Sequence, residues 1–238
     1  VHLKQLITLI IPLLLLLHTE GKSATKVYLI HGYAGSRYEL LKIEKSIRNE
    51  GFITEILCYN SFTENVDSVG NEFFRKIQAE NSDTVSFVTH SMGALVVRSF
   101  YNHRDSLSHF PFIHRFVMIA PPNNGSPMAD FFSQFGFLKF ILGPNVSNLT
   151  TDTLTGAARY PVPDCETGLI AGSYGNNKGL NIFVNSDNDG MLVTSQTQIG
   201  NEKDIVYVKS WHLGLLFNQK TIKYTLLFLK NGSFSENY

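Results

Sequence analysis

Apolar residues recur along this chain with two alternating periods. Short β-rich runs at Lys26–Ile30, Phe52–Tyr59, Val85–Thr89, His114–Ala120, Gly168–Gly172 and Ile205–Val208 predict strands. Helical spacing falls between and after them. Glu39–Asn49 repeats Leu40, Leu41, Ile43 and Ile47, and Val66–Ala79 sets Val69, Phe73, Phe74 and Ile77 on one face. Ala94–Arg98 begins a further helix, and Thr221–Leu229 closes the chain as an amphipathic one. Strands alternating with helices predict an α/β fold, a mostly parallel sheet of about six strands covered on both faces. Right-handed crossovers then gather the strand C-terminal ends along one edge, where sites form. No repeat, low-complexity tract or long linker divides residues 25–238, which read as a single domain with 122–164 as an insertion.

Residues 1–24 read differently. Leu6–Leu17 is an apolar run behind Lys4, interrupted only by Thr8 and Pro12. A spanning helix needs about 20 apolar residues, so the run suits the apolar part of a signal peptide, with small residues for cleavage near Gly21 and Ala24. The expectation is export, to periplasm or medium. Lys plus Arg and Asp plus Glu both number 20, which gives no electrostatic footprint for nucleic acid. Cys58 and Cys165 have no metal-ligand spacing and read as two buried thiols rather than a bridge. Asn145, Asn148 and Asn231 each open a glycosylation sequon, meaningful in a eukaryotic source.

Thr89-His90-Ser91-Met92-Gly93 joins an apolar strand to a helix. A serine at such a tight turn projects its hydroxyl from the backbone crest, with the amides of the next helix facing the group it attacks. Ser91 therefore reads as a nucleophile, which needs an imidazole base and a carboxylate to orient that base. Of the eight histidines, two belong to the N-terminal segment, His31 and His90 sit inside other motifs, and His103, His109 and His114 lie in a polar stretch. His212 remains, directly after the last strand. Asp189, whose neighbour Gly190 permits a sharp turn at a strand end, is the favoured acid, with Asp187 two residues away as its competitor. The glycine-rich Leu29–Gly35 segment offers the Tyr33 amide as one oxyanion donor, and the Met92 amide is the second. Neither dinucleotide nor Walker spacing occurs in that segment, so a phosphate loop is discounted. No cofactor and no metal are called for.

These pieces, Val27-Tyr-Leu-Ile-His-Gly, Val88-Thr-His-Ser-Met-Gly, Ala120-Pro-Pro-Asn-Asn-Gly-Ser, Asn188-Asp-Gly and Ser210-Trp-His, run in order over nearly the whole of the chain after residue 24. In this the chain resembles α/β-hydrolases, in particular small exported bacterial lipases and esterases. Thr89 replaces the first glycine of the family's G-x-S-x-G, and the sheet starts late, as in a minimal version of the fold. The resemblance implies hydrolysis of a small-molecule ester or lipid through an acyl-enzyme on Ser91, with His212 as base and Asp189 as its partner. An acyltransferase would use the same site, whereas a catalytically silent binding module would be expected to have lost one of these residues. The insertion concentrates Phe131, Phe132, Phe135, Phe137 and Phe140. It reads either as a helix packed on the core or as a lid that touches a lipid interface, with Phe131, Phe135 and Phe140 as candidate substrate contacts.

Overall fold

The computed structural model describes residues 25–80, 84–102, 111–137 and 143–236. The N-terminal apolar run and Phe140 lie outside them. Six strands, β1 (Lys26–Ile30), β2 (Ile53–Leu57), β3 (Thr84–His90), β4 (Phe112–Ile119), β5 (Glu166–Gly172) and β6 (Asp204–Val208), form one sheet in the order β2-β1-β3-β4-β5-β6. Every neighbouring pair is parallel. The chain runs outward from β1 to β2, then crosses back to β3 and continues the other way. Such a reversal leaves a crevice beyond the C-terminal ends of β1 and β3.

Alternation along the strands explains the two cores. Tyr28, Ile30, Phe87, Phe116 and Met118 face α2 (Val66–Ala79) and α3 (Gly93–Phe100). Val27, Leu29, Val88, Val117 and Ile119 face α1 (Arg37–Asn49) and α6 (Gln219–Asn231). A sheet buried on both faces needs apolar residues at successive positions, and β1, β3 and β4 have them. The helix starts are marked locally. Asn65 accepts a hydrogen bond from the Asp67 amide at 2.8 Å and Asn218 one from the Lys220 amide at 2.9 Å, each satisfying a donor that the first turn leaves open.

The insertion contributes α4 (Pro127–Ser133) and the single turn α5 (Asn145–Asn148). It is fastened by polar side chains rather than by a large apolar face. Asn145, fully buried, accepts from the Val66 amide at 2.9 Å and donates to the carbonyls of Ser61 and Glu64. Arg98 of α3 is equally buried and donates to the carbonyls of Asn123, Tyr160 and Pro161. Two of the three sequon asparagines, Asn145 and Asn148, are thus buried, and Asn231 alone of them is exposed. Both cysteines are free, but neither is the buried thiol expected: Cys58 is exposed, past the end of β2, and Cys165 is half-buried.

Candidate active site

β3 ends at His90 and α3 begins at Gly93, so the chain reverses direction within two residues. Ser91 takes the strain: its φ is +51°, in the left-handed region that side chains rarely adopt. Its amide donates to the Ile119 carbonyl at 2.9 Å, tying the turn to the neighbouring strand β4. Close packing then requires glycine on two sides. A Cβ on Gly93 would lie 2.6 Å from the Ile30 carbonyl oxygen, and one on Gly32 would lie 2.7 Å from the Ser91 Cβ. Thr89, in the position where the family has glycine, sits on the strand itself, paired with Ile30 and Met118. It is buried, and its hydroxyl has no hydrogen-bond partner.

The β1 loop wraps over this turn. Gly35 N–H donates to the Gly32 carbonyl at 3.2 Å, with Ala34 at φ +55° completing the turn that carries Tyr33. The Ala34 amide donates to Ser61 Oγ at 2.8 Å, and the Tyr59 hydroxyl donates to the His31 carbonyl at 3.1 Å. The His31 and Tyr59 rings stack with centroids 4.5 Å apart. Tyr33 and Ser91 line a common cavity, and Met92 is the residue from which α3 departs.

On the other side, His212 follows β6 and opens the short helical turn Leu213–Phe217. Its Nδ1 lies 2.7 Å from Asp189 Oδ2, and its amide donates to the Asp189 carbonyl at 2.9 Å. With the proton on Nδ1, Nε2 is left as the acceptor. Asp189 is only 1% exposed, and its second oxygen accepts from the amides of Met191 (3.0 Å) and Leu192 (2.8 Å). Gly172, at the end of β5, makes room for it: a Cβ there would be 2.5 Å from Asp189 Cβ. Asn188 organises the preceding loop, accepting from the amides of Leu180, Asn181 and Gly190 and donating to the carbonyls of Lys178 and Ser186. Asp187 turns elsewhere, to the hydroxyl of Ser173 and the amides of Tyr174 and Gly175. Burial alone would raise its pKa, but those hydrogen bonds outweigh it and hold the carboxyl below its ordinary value. Of the two candidate aspartates, Asp189 alone is recorded in contact with the imidazole.

Ser91 and His212 both open onto a cavity of about 420 Å³, within the usual range for ligand sites. Its walls are mostly apolar, with Met128, Phe132, Val146, Leu149 and Leu192 among them. The phenylalanines divide differently from the expectation. Phe132 lines the cavity, whereas Phe131 and Phe135 are exposed and lie outside its lining, Phe131 with its ring against that of Phe132. α4 starts at Pro127, and its helical period turns Met128, Ala129 and Phe132 inward, leaving Phe131 on the outer side. Phe131, Phe135 and Phe137 continue outside as a chain of ring contacts.

Two ionisable cavity residues have no counterpart in the expected site, Glu39 of α1 and His90. The Ser36-x-x-Glu39 spacing at the start of α1 is a helix-start signature and would have drawn attention to Glu39 only as a cap.

A strained serine between strand and helix, a glycine-rich β1 loop above it, and an acid–histidine pair after the later strands give this chain the α/β-hydrolase fold. No protein-family model and no curated protein matches the sequence. Solved structures do resemble it. The mature form of the lipase BlEst2 from Bacillus licheniformis superposes with a TM-score of 0.63, covering 90% of this chain and 92% of that one at 17% identity. A metagenomic carboxyl esterase, MGS0156, gives a TM-score of 0.60 at 16% identity over 82% of this chain and 66% of its own. The phospholipase PlaB from Legionella pneumophila gives 0.55 at 17% identity over 73% and 46%. At these identities the likeness is one of fold.

Proposed function

We propose that this protein hydrolyses carboxylic esters by a serine mechanism, with Ser91 as nucleophile, His212 as general base and acid, and Asp189 as the group that orients His212. The observation that carries the reading is the 2.7 Å contact between Asp189 Oδ2 and His212 Nδ1, beside a serine held at φ +51° on the same cavity. Ser91 Oγ attacks the ester carbonyl carbon as His212 Nε2 takes its proton. The amides of Tyr33 and Met92 receive the negative charge that develops on the carbonyl oxygen, a contribution worth about 10²–10³ in rate per donor. His212 then protonates the leaving alcohol, and the acyl group stays on Ser91. A water molecule, deprotonated by the same nitrogen, attacks the acyl carbon and restores Ser91 as the carboxylic acid leaves.

The apolar wall of Met128, Phe132 and Leu149 suits an acyl chain. The rim and the rings beyond it favour a lipid substrate over a short soluble one: Met191 and Trp211, about half exposed, line the serine's cavity, and the exposed Phe131 and Phe137 belong to the chain of ring contacts that leads away from Phe132. Ile182 and Phe183 are 82% and 92% exposed, and their neighbours Asn181 and Val184 share a cleft with Pro127 and Met128 at the start of α4. The lipase, carboxyl esterase and phospholipase named among the similar structures agree with this substrate class. The segment before residue 25 fits an exported enzyme. Ser91→Ala is expected to abolish p-nitrophenyl ester hydrolysis with an unchanged circular dichroism spectrum. Undiminished turnover by the folded variant would remove the assignment.

A further inference from the structure

Behind the catalytic imidazole lies a second histidine that the mechanism above does not use. His90 is 4% exposed, and its ring centroid is 4.8 Å from that of His212, with the planes tilted by 44°. Among the described residues, neither of its ring nitrogens has a hydrogen-bond partner. Its Nδ1 lies 3.5 Å from Glu39 Oε1, long for a hydrogen bond yet close enough for strong electrostatic coupling in a buried place. Glu39 reaches this position because α1 follows the β1 loop and β1 is hydrogen-bonded to β3, which ends in His90. The carboxylate also packs where a Cβ on Gly35 would strike it, at 2.6 Å.

A half-buried carboxylate against a buried imidazole is expensive to place unless the two serve each other or a neighbour. His212 is that neighbour. A single hydrogen bond to Asp189 fixes one edge of its ring and leaves it free to rock about that contact. A second ring packed against it restricts that motion, and a positioned base loses rate steeply when misplaced. In the transition state His212 becomes an imidazolium, so a carboxylate nearby stabilises it in the state that matters for the rate.

We propose that Glu39 and His90 form a second acid–imidazole pair that acts on the reaction through His212, His90 holding the catalytic ring and Glu39 supplying negative charge that favours the imidazolium. Both are positioning residues, and the proposal rests on the reading of Ser91 and His212 given above. The ionisable groups around them come from four segments: His31 and Tyr33 from the β1 loop, Tyr59 from the chain after β2, Glu39 from α1, and His212 backed by Asp189. Burial pushes the His90 pKa down; Glu39 opposes that, the charge on His212 adds to it and the His212 backbone opposes it, and the net direction is downward, so His90 is the neutral member of the pair. Burial would raise the Glu39 pKa, but His90, His31 and the Ser36 backbone together hold it below its ordinary value, so Glu39 carries the charge.

The test measures kcat and KM of the full chain on p-nitrophenyl butyrate from about pH 5 to about pH 9, normalised to sites titrated with a fluorophosphonate. In Glu39→Gln, kcat per site is expected to fall about 3- to 10-fold with KM unchanged. The acid limb of kcat/KM should move down by about half a pH unit, because removing a negative charge lowers the proton affinity of His212. A purely structural role would reduce the number of active sites and leave that limb in place. Since Glu39→Gln also weakens the start of α1, a second pair of variants tests the packing. His90→Ala should lose about tenfold in kcat and His90→Phe should recover most of it. An unmoved acid limb with wild-type kcat per site in Glu39→Gln overturns the role of Glu39, and wild-type kcat in His90→Ala overturns that of His90. Either result beside an inactive Ser91→Ala leaves the serine mechanism standing. An active Ser91→Ala removes the mechanism and the proposal with it.

Discussion

Two walls of the same cavity are built by different means. The loop carrying Asp189 is saturated with hydrogen bonds: both carboxylate oxygens of Asp189 and both polar atoms of Asn188 are used, Gly172 leaves room for the Asp189 side chain, and Gly190 supplies the positive φ of the turn. The wall carrying Phe132 is a seven-residue helix with one buried side chain, Ala129, and a fringe of exposed rings. Directional contacts fix atoms to within tenths of an ångström, which acid–base chemistry needs. Apolar contacts without direction tolerate rearrangement, which the binding of acyl chains of differing length needs. The polar wall is thus suited to chemistry and the apolar wall to selection of the substrate.

Substitutions should separate the two walls. Asp189→Asn is expected to lower kcat by on the order of 10³–10⁴, because the neutral amide no longer favours the productive tautomer or the imidazolium. Asp187→Asn should leave kcat nearly intact and lower stability by about 1 kcal/mol, through weaker bonds from Ser173, Tyr174 and Gly175. Steady-state kinetics and urea unfolding of both variants would show it, and equal losses in kcat would erase the distinction. On the apolar wall, Phe132→Ala should shift the preferred acyl length while hydrolysis persists. The double variant Phe131→Asp, Phe137→Asp should stay within about twofold on soluble p-nitrophenyl acetate and lose about tenfold on an emulsified ester. A uniform loss on both substrates would make the rim structural rather than interfacial.

The smallest effect concerns the turn itself. Thr89 buries a hydroxyl without a partner, so Thr89→Val, which keeps the shape, should leave activity unchanged and raise stability by up to about 1 kcal/mol. A clear loss of stability by denaturant unfolding would mean that the hydroxyl does find a partner in solution.

Most of the fold was legible because each strand advertises itself twice, by β-branched and aromatic residues and by the turn that ends it. β2 is shorter than its apolar run, closing at Leu57 because Cys58 and Tyr59 leave the sheet edge, Tyr59 to stack on His31. Ser91, His212 and Asp189 were readable as candidates because each lies just after a strand or beside a glycine that permits a sharp turn. Phe132 could not be told from Phe131, since a short helix with aromatic residues at nearly every position has no contrast between its faces. Glu39 and His90 were hidden for another reason. They are distant in sequence and meet only because β1 and β3 are neighbours, a pairing that no local pattern encodes.

If Ser91 forms the covalent acyl intermediate, a fluorophosphonate will phosphonylate it, which intact-protein and peptide mass spectrometry can read. One added phosphonyl group per chain is expected, carried by the peptide containing Ser91, with labelling strongly slowed in His212→Ala. A folded chain that takes up no label, or takes it up at another residue, would contradict that role of Ser91.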